Sequence, residues 1–258
     1  MQAAIQKLIR QTIRDVLLEE CLLREGPHDP GRLKAIFMAG APGSGKGTAI
    51  RAIFGNIGSV TAQGLKVVNA DSLFEQLMKN QGLSMSAPTD ASEEELKQWR
   101  IDTSTLQQRA LGKVTGGSPG ISAQRLDLDP AEYGVKPKKK LGPRTQLERY
   151  IDGRLGLLID GTATNYGKIM REKQILEDLG YDTMMVAVAV PLEQAMRQNI
   201  ARGKEGGRTV HPMGLGQQWE KLQHNIPQYS RQFRDFVLID EDNPAEDAIS
   251  AVDRFIGR

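Results

Sequence analysis

Disulfide chemistry is closed to this chain. It carries one cysteine, Cys21, among 258 residues, so it has no internal bridge, and this fits a reducing cytoplasm. Histidine is nearly as scarce. His28, His211 and His224 share no metal-ligand spacing, so no histidine-based metal centre is expected. No apolar run approaches the roughly 20 residues needed to cross a bilayer. The first residues are amphipathic and interrupted by Asp15, Glu19 and Glu20, unlike a secretory signal. Charge of one sign is also lacking: the net charge is +2, too small by itself to argue for nucleic acid. There is no internal repeat. What remains, 39% hydrophobic and 26% charged residues, suits a soluble globular protein with one large domain or two small ones.

The informative stretch is Gly40-Ala41-Pro42-Gly43-Ser44-Gly45-Lys46-Gly47-Thr48. An apolar run, Ala35 to Ala39, precedes it, and a helix-like segment, Ala49 to Phe54, follows. Strand, glycine-rich loop and helix are the context of a phosphate-binding loop. Glycines let successive backbone N–H groups point inward, and the helix adds its positive end. Lys46 brings a full charge to the terminal phosphates, and the Thr48 hydroxyl is placed to reach a metal or an oxygen. The usual pattern puts Ser or Thr directly after the lysine. Here Gly47 stands there and Thr48 comes one residue later. The competing reading, a flexible turn that binds nothing, explains the lysine and the flanks poorly.

In chain order, residues 1–24 read as an amphipathic helix with an apolar stripe through Ile5, Leu8, Ile9, Ile13, Val16 and Leu17. It is either an extra helix packed on the core or a docking element for a protein partner. Gly26 to Gly31 form a linker, giving an expected division into residues 1–31 and a phosphate-loop domain over 32–258. A strand ending near Ala70 places Asp71 at its carboxyl end, with Ser72 and Glu75 read as the capping pair of the next helix. Open α/β sheets bind ligands at that end, so Asp71 is a candidate functional carboxylate; its plain rival is a helix cap.

Ser92 and Glu95 start a helix through Arg100, with a second helical piece from Thr103 to Leu111. Residues 112–142 read as a loop-rich insertion. It is basic toward Lys136-Pro137-Lys138-Lys139-Lys140, and is either solvated or a cover for an anionic substrate. Leu155 to Thr162 reads as a buried strand ending in Asp160, a candidate for the Mg²⁺ water shell. The rival reading of Asp160 is a turn residue before Gly161. Thr162 and Asn165 follow as candidate substrate contacts. Thr183 to Val190 suits a fully buried parallel strand. Arg197, Arg202 and Arg208, with Gly206 and Gly207 between the last two, suggest a lid over 197–212 that brings arginines to phosphate oxygens and excludes water. A helix broken or kinked at Pro227, a last strand over Phe236 to Asp240 and a closing helix complete the chain. Five strands alternating with helices give an α/β fold with a mainly parallel sheet and helices on both faces.

The loop GAPGSGKGT resembles the nucleoside monophosphate kinases, adenylate kinase above all. The order GAPGSGKGT, VVNAD, LLIDGTATN, RQNIARGKEGGRTV and LIDEDN resembles the zeta-toxin family of P-loop kinases, over roughly residues 32–255. That resemblance implies an ATP- and Mg²⁺-dependent kinase acting on a hydroxyl, best known for a UDP-linked amino sugar, with related groups acting on nucleotides or polynucleotide ends. It implies that Lys46 neutralises the β- and γ-phosphates, that Asp71 accepts the hydroxyl proton, and that Arg202 and Arg208 stabilise the moving phosphoryl group. Arg197 joins Asp160, Thr162 and Asn165 as a substrate contact. Gly47 departs from the Ser or Thr usual in the family, and residues 112–142 have no counterpart there. Two rivals stay open. One is a nucleotide or polynucleotide kinase, prompted by the loop and by Lys136 to Lys140. The other is a nucleotide-binding module that docks a partner through the N-terminal helix.

Overall fold

The protein is seen here as a computed structural model that describes residues 31–55, 58–86, 91–117 and 120–257. The helix expected over residues 1–24 lies outside them. Five strands form one sheet: β1 (Lys34–Gly40), β2 (Lys66–Val68), β3 (Leu157–Asp160), β4 (Asp182–Val188) and β5 (Asp235–Ile239). All pairings between these strands are parallel, and the order is β2-β3-β1-β4-β5. β1 lies in the middle, and all seven of its residues are buried, as expected for a strand covered on both faces.

The period-two alternation of β1 divides the core. Ala35, Phe37 and Ala39 face a cluster containing Leu147, Ile151, Leu176, Leu222 and Tyr229. Ile36 and Met38 face Ile50, Ile53, Val252 and Phe255. The first layer is built by α4 (Gln146–Asp152), α5 (Tyr166–Asp178) and α7 (Pro212–Gln232), the second by α1 (Lys46–Phe54) and α8 (Ala245–Ile256). A smaller cluster, Phe74, Met78, Leu106 and Ala110, joins α2 (Ala70–Asn80) to α3 (Glu93–Val114). α6 (Leu192–Lys204) carries Arg197 and Arg202, and Arg208 lies in the loop that follows it. No helix among the described residues is long and apolar enough to cross a membrane.

Four expectations change. The two helical pieces foreseen between Glu93 and Leu111 are one helix, α3, opened by a Ser92–Glu95 capping box. Its buried stripe is only Leu106, Ala110 and Val114, too sparse for periodicity to reveal its length. α7 runs through Pro227 as one helix, so of the expected break or kink the break does not occur. The cap of α2 is Asn69, whose side chain accepts the Asp71 N–H, and Ser72 is not the cap. Asp71 therefore lies in the first helical turn and not at the strand's end. Finally, the described residues of 112–142 are not loop throughout, although Lys136 to Lys140 are exposed. They hold the end of α3 and two 3₁₀ turns, Ala123–Leu126 and Pro130–Tyr133, and Ile121, Ala123 and Tyr133 are buried in the main core.

Candidate functional site

The carboxyl ends of β1, β2 and β3 meet at one edge of the sheet, the edge where open α/β sheets bind ligands. β1 delivers Gly40 and the glycine-rich loop. Gly43 (φ 76°) and Gly45 (φ 79°) adopt left-handed backbone that other residues take at a cost. Gly43 must also be bare for space, since a Cβ there would stand 2.1 Å from the Ala195 carbonyl oxygen of α6. A Cβ on Gly40 would stand 2.7 Å from Ser44 Oγ. Gly45 caps α1 without a side chain, and the first turn of α1 has no acid. This leaves the positive helix end open toward the loop. Ser44 Oγ is buried with no hydrogen-bond partner. A bare loop, an uncapped helix end and an orphaned hydroxyl fit an anionic group carrying its own acceptors.

Lys46 pairs with Asp160 at the end of β3, and the two side chains are 17% and 10% exposed. Asn69 donates from Nδ2 to Asp160 Oδ2 at 2.7 Å, while its Oδ1 caps α2. Asn69 is a residue that sequence reasoning passed over. It links the strand ends to Asp71, and its signal was its place, a cap-type residue between an apolar strand and a helix. Asp71, half exposed, accepts from Arg208 Nη2 at 2.7 Å. The Arg208 guanidinium lies 5.3 Å from the centre of the Phe74 ring, a cation–π distance. Its Nε is buried without a partner. Arg202 pairs with Glu75, one turn beyond Asp71, at 3.4 Å. Arg202 and Arg208 thus both meet α2.

The 205–211 loop is tied down by Asn199, also missed in the sequence. Asn199 is 6% exposed. It donates to the Val210 carbonyl at 2.8 Å and accepts the Val210 N–H at 2.9 Å. Beyond β3, Ala163 has φ 52°, and α7 holds it there. Asn225 donates to the Ala163 and Thr164 carbonyls, and Tyr229 donates to the Ala163 carbonyl at 2.8 Å. Burial pushes the Tyr229 hydroxyl well above its ordinary value, so it stays a donor.

The remaining expected site residues lie apart from this chain of contacts. Thr162 shares a hydroxyl contact of 3.3 Å with Thr164. Asn165 caps α5 by accepting the Lys168 N–H. The Arg197 side chain is 71% exposed and 3.9 Å from Glu193. Thr48 is exposed, and its Oγ1 accepts from Arg51. Among the described residues, no group of three or more His, Cys, Asp or Glu could hold a metal. Asp160, a single carboxylate beside a phosphate loop, fits the arrangement in which Mg²⁺ is shared between one carboxylate and the substrate's phosphates.

A family model described as Zeta toxin matches residues 20–117, which include the phosphate loop and Asp71. No curated protein matches the chain. Among solved structures, a candidate kinase from Chloroflexus aurantiacus is 13% identical, with 90% of this chain and 98% of that chain covered and a TM-score of 0.51. A structure of the PezAT toxin–antitoxin system of Streptococcus pneumoniae is 14% identical, covering 94% of this chain and 78% of that one at a TM-score of 0.45. A Pnkp1/Rnl/Hen1 RNA repair complex is 14% identical, covering 80% and 48% at 0.41. At such identities a likeness speaks for the fold alone, and the last two scores carry no further weight. Family match, sheet order and phosphate loop agree: residues 20–117 are similar to the zeta toxins, and the chain has a parallel α/β fold with a phosphate-binding loop at the end of its central strand.

Proposed function

We propose that the protein is an ATP- and Mg²⁺-dependent phosphotransferase that moves the γ-phosphate to a hydroxyl of a small molecule. The observation that carries this reading is the convergence of Lys46, Asp160, Asn69, Asp71 and Arg208 through contacts at one sheet edge. The loop N–H groups and Lys46 bind the β- and γ-phosphates. Asp160 would hold Mg²⁺, with Thr48 as the other candidate ligand on the loop, and the ion when bound would supply positive charge to the phosphates. Asp71 takes the hydroxyl proton as the acceptor oxygen bonds to the γ-phosphorus and the bridging bond to ADP breaks. Arg208, with Arg202 beside it, turns from its carboxylate toward the moving phosphoryl group. Catalysis here is positioning and electrostatics.

The acceptor's seat is a cavity of about 260 Å³ next to Arg208, lined by Phe74, Met78, Met85, Trp99, Gln107 and Gln218 among others. Its apolar floor and polar rim suit a ring-bearing acceptor with hydrogen-bonding edges, a nucleotide sugar among them.

The test is transfer of labelled γ-phosphate to nucleotide sugars, nucleoside monophosphates and 5′-hydroxyl oligonucleotides. The expected result is a labelled small-molecule acceptor, with labelling abolished by both Lys46→Ala and Asp71→Asn. Labelling of oligonucleotides alone would replace this reading with a polynucleotide kinase. ATP binding with no transfer to any acceptor would favour a nucleotide-binding module.

A further inference from the structure

A second cavity, of about 430 Å³, shares no residue with the phosphate loop, Asp71, Asp160 or the lid. Four separate pieces of chain bring cations to it. Lys113 comes from the last turn of α3 and Arg125 from the first 3₁₀ turn. Lys138 and Lys140 come from the following loop, and Arg144 and Arg149 from the entry and body of α4. Among the described residues Glu148 is the one carboxylate on the wall beside these six cations, with Asp152, off the wall, paired to Arg144, in a chain whose net charge is only +2. Glu148 is 2% exposed and already engaged. It accepts the Ser122 and Thr145 N–H groups and pairs with Arg125 at 3.4 Å.

The wall is held in place. Arg125 donates to the Gly142 carbonyl, and Arg144 pairs with Asp152 and donates to the Arg125 carbonyl at 3.3 Å. The Lys138 backbone is gripped twice by the Gln124 side chain, at 3.0 and 3.3 Å. Lys113, Lys138 and Lys140 are exposed and enter no ion pair among the described residues. Solvated lysines on a convex surface need no explanation. Lysines and arginines gathered from four segments around a concavity focus potential into it, and the volume lies in the range of small-ligand sites.

We propose that this cavity is a second anion site, separate from the nucleotide site, for a small molecule bearing two or more phosphate groups. The arginines present fixed guanidinium groups to phosphate oxygens, and the three lysines close over the rest of the charge. The concavity and the Gln124 clasp on its rim favour a compact ligand over an extended nucleic-acid backbone.

Inorganic tripolyphosphate titrated calorimetrically into the full chain tests this. Wild type should show two sites. Lys46→Ala should lose one and keep the other. The triple variant Lys113→Ala, Lys138→Ala, Lys140→Ala should weaken that other site by about tenfold or more. Lys139→Ala, in the same basic run but not on the wall, should leave it unchanged. If the triple variant unfolds, Lys113→Ala and Lys138→Ala singly carry the test. A single site abolished by Lys46→Ala overturns the proposal, as does equal weakening by Lys139→Ala. So does an oligonucleotide that displaces tripolyphosphate at equal phosphate concentration and loses affinity in the triple variant, because the cavity would then belong to a nucleic-acid backbone.

Discussion

Asp71 and Arg208 hold each other at 2.7 Å, and under the proposed chemistry each is needed elsewhere during transfer. Arginine offers five donors in a fixed fork. In Arg208 one of them, Nε, is buried without a partner, which a phosphate oxygen would satisfy. The Phe74 ring keeps the guanidinium in place from below. Removing the side chain should therefore affect the transition state more than ground-state binding. Arg208→Ala is expected to slow single-turnover phosphoryl transfer about 10³-fold while changing the ATP dissociation constant only a few-fold. Arg208→Lys should not restore the rate, because a point charge lacks the fork. Rapid-quench kinetics beside equilibrium ATP binding check both statements. Equal losses in binding and in rate would remove Arg208 from the transition state.

At the scale of elements, the phosphate loop and α6 are packed together, and Gly43 is where they come closest. A methyl at Gly43 meets the Ala195 carbonyl at 2.1 Å, whereas one at Gly45 finds its nearest neighbour, Gln198 Oε1, at 3.5 Å. Both positions have φ near +78°, so both substitutions share the left-handed strain of about 1–2 kcal/mol. Gly43→Ala adds a clash with backbone that only movement of α6 relieves. It is expected to lower Tm clearly more than Gly45→Ala and to weaken ATP binding with it; similar Tm losses would show that the loop and α6 are not rigidly joined. Much at this scale was legible in the sequence. GAPGSGKGT announced itself through spacing, and the strands through their apolar runs. The partners that orient the site were not legible. Asn69, Asn199, Asn225 and Tyr229 act across 11 to 91 residues of sequence, and a lone asparagine carries no periodic signal. At Arg197 and Asn165 the present contacts are a surface ion pair and a helix cap. A residue type suited to phosphate or sugar also suits a solvent-facing helix or a cap, and only the contacts tell them apart.

The whole molecule depends on whether residues 112–142 are part of the domain or an appendage, and Glu172 bears on that. Glu172 lies on α5 and is 2% exposed. Its Oε1 has no hydrogen-bond partner, and the nearest cation, Lys168, is 3.7 Å away. Gly120 packs so closely that a Cβ there would stand 2.2 Å from the same oxygen. Burial pushes this carboxyl up to about 7, against the opposing pull of Lys168, the Ile121 N–H and Arg171. The ordinary value is 4.5. A folded state that keeps its proton to higher pH than the unfolded chain gains stability below pH 4.5. That gain disappears as pH rises through about 7. The change is on the order of 3 kcal/mol. Glu172→Gln keeps the shape without titrating. In urea unfolding, the variant should therefore gain on wild type by about that amount between pH 5 and pH 8. Loss of wild-type stability over this interval should be accompanied by loosening of the 120–133 segment, read as faster amide exchange at Ile121 and Ala123, because that segment is docked against the ionising group. A stability gap that stays constant across the interval would mean that the carboxylate is solvated and that the segment is not sealed onto α5.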